Sequence, residues 1–287
     1  MNKILIECGG GLGNRLGGLV SGLQVAEQCN LHPIVNWARH TTCDCDFDEL
    51  FDTKTFYAKN IKITKDTNPD LSSYDVVRPS KWLIETNNNT VFHDKRTLQN
   101  IKNLNNSIYY YSNSIPIYLN GQNTIKKLLE FIPRKEILKK VKKFVSYNNI
   151  NNSVKGLHIR KTDLNLVDEN KYIPIVRSNT NTRFFICSDS KEAEDKFQPY
   201  SNAIIKEKSF YVKKLFDNSA WRFKKGIDND GNARKYNVNR SSDSVVEALV
   251  DMLILSHTDI EDTSRHSSFL RFSKYYKTLL SDVMKND

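Results

Sequence analysis

The chain has 287 residues, 39% of them apolar, which is enough for one large domain or two of ordinary size. No run approaches the ~20 apolar residues of a membrane helix. The opening MNKILIECGGG lacks the long apolar centre and small-residue cleavage site of a secretory leader. A cytoplasmic protein with no membrane span is expected. The formal net charge of +10 attracts phosphate groups of any kind, whether on nucleic acid, lipid or nucleotide.

Residues 3–8, KILIEC, form a β-branched and apolar run that ends at glycines and reads as a buried strand. Residues 15–30 carry apolar side chains at helical spacing, and residues 32–37 read as the next strand. Strand, glycine turn, helix and strand make a βαβ unit, which implies a parallel sheet. Between 41 and 123 only short apolar pieces occur, at 61–63, 75–77, 108–111 and 115–119. Much of the charge lies in Lys126 to Lys143, where Leu128, Leu129, Ile132, Ile137, Leu138 and Val141 recur at helical spacing. The lysines there read as the wet face of amphipathic helices. No nucleic-acid reader motif accompanies them, so no nucleic-acid partner is expected.

The polar stretch 148–153, NNINNS, reads as a linker or as compositional drift. The expected division is therefore 1–150 and 151–287. Beyond it, 154–159, 183–187 and 202–206 read as strands. Residues 243–256 read as a helix capped by Asp243, and 267–282 as a last helix. Both halves are α/β. The expected fold class is two Rossmann-like α/β lobes with an interlobe cleft, and ligands of such sheets sit beyond the carboxyl ends of the strands.

The five cysteines lack a C-x-x-C pair and read as reduced thiols. His40, Cys43, Cys45 and Asp46 are the local cluster nearest to a metal-ligand set, but an ordinary loop explains them better, and no metal is expected.

Four segments carry chemistry. The first is the glycine turn 9–15, GGGLGNR, in which Gly11 and Gly13 free backbone N–H groups for an anion and Asn14 and Arg15 supply polar tips. Its spacing fits neither a dinucleotide fingerprint nor a P-loop. A plain tight turn is the other reading. The second is HIRKTD, 158–163, at a strand end. There His158, Arg160 and Lys161 suit a diphosphate, and surface carboxylates are the alternative partners. The third is Ser188-Asp189, which would reach a nucleotide or cap the following helix. The fourth combines Asp251, a carboxylate inside an apolar helix, with Ser264, Ser267 and Ser268 before the last helix. Asp251 needs a partner, and paired guanine N–H groups would suit it; an exposed helical Asp is the alternative. The serines and the helix N-terminus would hold phosphate.

In this order the four segments resemble the fucosyltransferase superfamily with the GT-B fold, which includes the nodulation, core and protein O-fucosyltransferases. The shared features are the glycine turn with Asn-Arg, H-x-R-[RK]-x-D, a strand ending in [ST]-D, and D-x-x-x-L-S followed by Ser-Ser-Phe. The resemblance implies an inverting, metal-independent glycosyltransferase with GDP-fucose as donor substrate and a glycan or other hydroxyl acceptor. It places the acceptor on the first lobe and the donor on the second. Arg160 would stabilise the leaving diphosphate, His158 would contact the nucleoside and Asp251 would read guanine. Ser267, Ser268 and the backbone at Phe269 would bind phosphate. Asp189 would help place the donor, and Asn14 and Arg15 would face the cleft. Asp168 would be the base, with Glu169 and Asp163 as other options. Lys161 stands where many relatives have Arg, and TSRHSS departs from the usual family segment. Two further readings stay open: a relative that binds GDP-sugar without turnover, and a basic nucleic-acid-binding protein.

Overall fold

The computed structural model describes residues 2–77, 101–104, 106–112, 126–162, 167–216, 237–261, 263 and 267–283. The short apolar piece at 115–119, and the candidates Asp163 and Ser264, lie outside the described residues. The chain divides into two compact units. The first comprises Met1–His40, Asp46–Arg134 and Ser281–Asp287; the second comprises Thr41–Cys45 and Lys135–Leu280.

The first unit is built on five parallel strands: β1 (Lys3–Glu7), β2 (His32–Asn36), β3 (Lys62–Thr64), β4 (Tyr74–Val77) and β5 (Ser107–Tyr111). They lie in the order β3-β2-β1-β5-β4. Central β1 is buried on both faces, with Ile4 and Ile6 fully covered and Leu5 nearly so. That is why its sequence is a continuous apolar run rather than an alternating one. Helix α1 (Leu12–Gln28) is buried along most of its length. It lies unusually close to the sheet because its contact face is glycine: a Cβ on Gly18 would stand 2.4 Å from the Ser112 carbonyl oxygen, and one on Gly22 would stand 2.4 Å from the Ile6 side chain.

Segment 41–60, hard to read from pattern, folds as two short helices, α2 (Phe47–Leu50) and α3 (Lys54–Ala58). Asp46 and Glu49 form a capping box at α2. Phe47 packs edge-on to Trp37 at 5.3 Å between centroids, and Phe51, Phe56 and Phe131 complete the cluster.

The second unit has four parallel strands: β6 (Lys155–Ile159), β7 (Phe184–Ser188), β8 (Ala203–Ile205) and β9 (Asp259–Ile260), in the order β8-β7-β6-β9. Its helices are α4 (Lys135–Tyr147), α5 (Ile173–Ser178), α6 (Lys191–Asp195), α7 (Ser242–Leu255) and α8 (Ser268–Val283). One face of the sheet buries Leu157, Ile159, Phe184 and Ile186 against Val176, Ala193 and Phe197. The other face carries Gly156, His158, Phe185 and Cys187. Phe185 meets Phe144 of α4, and a Cβ on Gly156 would collide with Thr258 just past α7.

Two expectations are corrected here. The boundary falls before α4, not after it, because α4 buries Ile137 and Val141 and packs with α7 of the second unit. Segment 148–153 is not a linker. Asn149 takes a left-handed conformation (φ 48°), with Asn149 N–H donating to Ser146 O and Ile150 N–H to Val145 O. This is a Schellman cap that turns α4 into β6. Asn30 after α1 and Asn60 after α3 do the same, each followed by an apolar residue and a strand. The cap of α7 also differs from expectation: Ser241, not Asp243, accepts from the Ser244 N–H at 3.4 Å.

Among the described residues no group of three or more His, Cys, Asp or Glu side chains is placed to hold a metal ion, and no helix is long and apolar enough to cross a membrane. The cysteines are free thiols, four of them buried.

Replacing Gly18 with Ala favours an isolated helix by about 1 kcal/mol, yet the added methyl meets a backbone carbonyl that cannot step aside. The substitution is expected to destabilise the protein by about 1–3 kcal/mol, read as a lower denaturation midpoint in urea at an unchanged m-value.

Candidate functional site

The parallel register sets β6 beside β7, so the two strands end together at Ile159 and Ser188. Beyond a strand end the backbone N–H groups have no ladder partner and must find another acceptor. Asp189 supplies it. Its Oδ1 accepts from the Lys161 N–H at 2.8 Å, and its Oδ2 accepts from the Thr162 N–H at 3.3 Å and from the Thr162 hydroxyl. Ser188 Oγ donates to the Ile159 carbonyl at 2.6 Å. Arg240, just before α7, donates from Nη2 to Thr162 Oγ1 at 3.1 Å. Ser188 and Asp189 therefore do not cap α6, whose N-cap is Ser190 with no side-chain bond. They hold the turn that follows β6.

Alternation along β6 sends Ile159 into the core under α5 and α6, and His158 to the opposite face. There the imidazole stacks on Phe269 in the first turn of α8, with centroids 4.3 Å apart and planes 16° from parallel. This contact joins two segments that lie 111 positions apart (269 − 158) in the sequence. The His158 carbonyl accepts from Thr263 Oγ1 at 2.7 Å. Burial, reinforced by the nearby Arg160 charge, pushes the imidazole pKa down to about 3, so the ring is neutral. Among the described residues its Nδ1 is buried without a hydrogen-bond partner.

Ser267 is the N-cap of α8, its Oγ accepting from the Leu270 N–H at 3.2 Å. Ser268 and Phe269 follow in the first turn, where the helix dipole favours an anion. Half-buried Arg160 follows His158 by two residues, and its Nε lies 3.4 Å from the Thr162 carbonyl oxygen.

Lys161 belongs to a different arrangement from the diphosphate grip expected of it. Its Nζ donates to Glu169 Oε2 at 2.6 Å, and Lys196 holds the other Glu169 oxygen. Burial raises the Glu169 pKa, but these two hydrogen bonds outweigh it and bring the carboxyl down to about 2. Asp168 is exposed and caps the short 3-10 turn Glu169–Lys171 by accepting from the Asn170 N–H at 3.1 Å.

Asp251 has the partner that the apolar helix demanded, and it is internal. Lys208 Nζ donates to Asp251 Oδ2 at 2.8 Å, to the Ser188 carbonyl at 2.7 Å and to Glu194 Oε1. Glu194 in turn accepts from the Ser188 N–H at 2.7 Å and from the Tyr211 hydroxyl at 2.6 Å. Burial works against the Lys208 charge, but Asp251 and Glu194 more than compensate and hold its pKa above the ordinary lysine value. Burial raises Glu194, and Lys208 only partly offsets this. Among the described residues Asp251 Oδ1 is buried and makes no hydrogen bond, but it is ion-paired with Lys206 Nζ at 3.6 Å. The expectation that Asp251 requires a partner from outside the chain is thus corrected: both of its oxygens face lysines of the second unit.

In the first unit, Gly10 takes φ +78°, and Gly9 lies so close to Tyr111 that a Cβ would reach 2.7 Å from its ring. Gly11 is the N-cap of α1, Gly13 is buried within its first turn and Asn14 is half-buried beside Gly10. Arg15 is not a polar tip. It is 1% exposed, donates from Nε to the Gly10 carbonyl at 2.9 Å and lies 5.0 Å from the centre of the Trp37 ring. The guanidinium is folded under the turn it was expected to decorate.

Sequence reasoning missed Lys208, Glu194, Tyr211, Thr162 and Arg240. The one available signal was Lys206 and Lys208 at i and i+2 after the apolar run of β8.

No protein-family model matches the chain, and no curated protein matches it in sequence. Solved structures do match in fold. Fucosyltransferase NodZ from Bradyrhizobium aligns with a TM-score of 0.59 at 13% identity, covering 95% of this chain and 92% of that one. NodZ alpha-1,6-fucosyltransferase co-crystallized with GDP gives 0.57 at 12% identity, over 95% of this chain and 91% of that one. The form soaked with GDP-fucose gives 0.56 at 13% identity, over 96% and 92%. The chain thus has the parallel α/β architecture of a GT-B fucosyltransferase along nearly its whole length.

The imidazole of His158 makes stability depend on pH in a predictable direction. Unfolded, it protonates near 6.5; folded, only near 3. Within that window the unfolded state holds more protons, so stability falls as pH drops, by up to about 1.4 kcal/mol per pH unit, and is flat above it. His158→Phe keeps a ring against Phe269 and removes the proton site. Chemical denaturation of both proteins from pH 7.5 to 4 is expected to show a shallower acid-side decline in the variant.

Proposed function

We propose that this protein is an inverting glycosyltransferase that uses a GDP-sugar donor, with fucose as the sugar, and transfers it to a hydroxyl of a glycan or similar acceptor. The second unit binds the donor and the first unit serves the acceptor. The observation that carries the reading is the His158–Phe269 stack, which joins the basic end of β6 to the N-terminus of α8. A strand-end arginine and a helix N-terminus are complementary to a diphosphate. The NodZ likeness supports the same reading, since structures with that fold were obtained with GDP and with GDP-fucose.

In this reading Arg160 faces the diphosphate, and Ser267, Ser268 and the Phe269 backbone complete the anion site. Asp189 sets the turn that carries Arg160. His158 Nδ1 and Asp251 Oδ1, both buried and without hydrogen bonds among the described residues, meet the nucleoside. Lys161, held by Glu169, is left out of the phosphate grip. Departure of GDP builds negative charge on phosphate, and Arg160 offsets it without requiring a metal ion. A preorganised donor of this kind is worth about 3–4 kcal/mol in the transition state. Asp168 is the carboxylate that takes the acceptor proton.

The test is a thermal-shift panel with GDP, GDP-fucose and UDP-sugars, followed by a transfer assay with and without chelator. GDP at about 100 times its dissociation constant should stabilise by about 2.7 kcal/mol, and Arg160→Ala should abolish the shift and reduce turnover by 100-fold or more. Turnover should survive the chelator. A response to UDP-sugars alone would defeat the donor assignment. GDP binding without turnover would place the chain among relatives that bind and do not transfer.

A further inference from the structure

Three buried acceptors converge on one ammonium group in the second unit. Lys208 Nζ reaches Asp251 Oδ2 on α7, Glu194 Oε1 on α6 and the Ser188 carbonyl at the end of β7. Its side chain is 2% exposed, Glu194 is 1% and Asp251 is 6%. A lone buried carboxylate is costly and tends to protonate, whereas one paired with a buried cation stays charged. Lys208 therefore supplies the nearest buried cation to Asp251 and fixes which of its oxygens is hydrogen-bonded: Oδ2 is, while Oδ1 makes no hydrogen bond among the described residues and stands 3.6 Å from Lys206 Nζ. The same ammonium holds Ser188, whose neighbour Asp189 clasps the Lys161 and Thr162 N–H groups. One side chain thus links the helix that carries Asp251 to the turn that carries Arg160.

From this geometry we infer that Lys208 is the positioning residue that gives the nucleotide site its preference for guanine, by presenting Asp251 Oδ1 as a charged acceptor. The inference rests on the reading of a GDP-sugar site in the preceding section. Guanine offers two N–H donors, N1–H and N2–H, along one edge. Adenine has an unprotonated ring nitrogen at the first and no amino group at the second. A buried charged acceptor suits the first base and leaves a carboxylate unpaired with the other. Sites built around such a hydrogen bond discriminate steeply, because the group left unpaired is buried. Lys208 does not touch the base. It acts through Asp251, and its removal leaves Oδ2 without its hydrogen-bond donor and the carboxylate no longer fixed in orientation, with Lys206 near Oδ1 as its remaining cation.

Loss of this buried cation also weakens the fold, so affinity for GDP alone does not separate the two effects. The ratio of GDP to ADP affinity does. Partial unfolding lowers the competent fraction and weakens every ligand by the same factor, so it cancels in the ratio. The experiment measures dissociation constants for GDP and ADP by titration calorimetry in the wild type and in Lys208→Met, at a temperature well below both transitions. If Lys208→Met does not fold, Lys208→Met with Glu194→Gln takes its place. That pair removes one buried carboxylate along with the ammonium, while glutamine still accepts from the Ser188 N–H. The expected result is a GDP preference in the wild type that drops at least tenfold in the folded variant. An unchanged preference in a folded variant overturns the role of Lys208 and leaves the guanine reading standing. A wild type that binds GDP no better than ADP overturns both.

Discussion

The second unit is organised around the need of β6 and β7 to end somewhere. Parallel strands leave N–H groups pointing past the ladder, and buried ones must be paired. In this protein Asp189 takes three donors from Lys161 and Thr162, and Ser188 bonds back across to Ile159. The consequence reaches beyond satisfied hydrogen bonds. The turn after β6 is held by a residue of β7's own exit, so Arg160 sits on backbone that cannot drift independently of the sheet. Preorganisation of this kind is what allows a cation to stabilise charge that appears only during a reaction.

Beneath that clasp lies a second layer of polar contacts. Lys208, Glu194 and Asp251 are buried, half-buried Tyr211 hydrogen-bonds to Glu194, and Glu194 and Lys208 grip the N–H and C=O of Ser188 from below. Buried ionic groups seldom improve stability over an apolar core of equal volume. Their presence beneath strand ends, rather than elsewhere in the unit, is explained by what they hold. The apolar core on the other face, from Leu157 to Phe197, supplies burial beside this layer.

The first unit solves a different problem. Its glycine turn brings α1 so near β1 and β5 that Gly18 and Gly22 lie against a carbonyl and an isoleucine. Arg15 then has no route to the surface and lies against Trp37 and the Gly10 carbonyl. A residue that looks like a ligand-binding tip in the sequence thus supports the turn from below. The three asparagines at helix ends make a related point. In a list of letters Asn30, Asn60 and Asn149 look like polar filler; in space each takes a left-handed conformation that few other residues tolerate.

Most of the strands and the two long C-terminal helices were legible because their signals are local: an apolar run bounded by glycine or polar residues, or apolar positions at three and four. The α/β class followed from the order of those signals, as did the strand-end placement of His158, Arg160, Ser188 and Asp189. Strand β9 has two residues and therefore no period to detect. The boundary before α4, the stacking of His158 on Phe269 and the ion pairs that claim Lys161 and Asp251 depend on contacts between residues far apart in the chain. Local pattern carries no information about which distant side chain will arrive. The sequence by itself determined that this is a two-part parallel α/β protein with basic groups at a strand end. Only the tertiary structure decided which of its charges are spent on one another, because burial and pairing are properties of the packed molecule and not of the order of its residues.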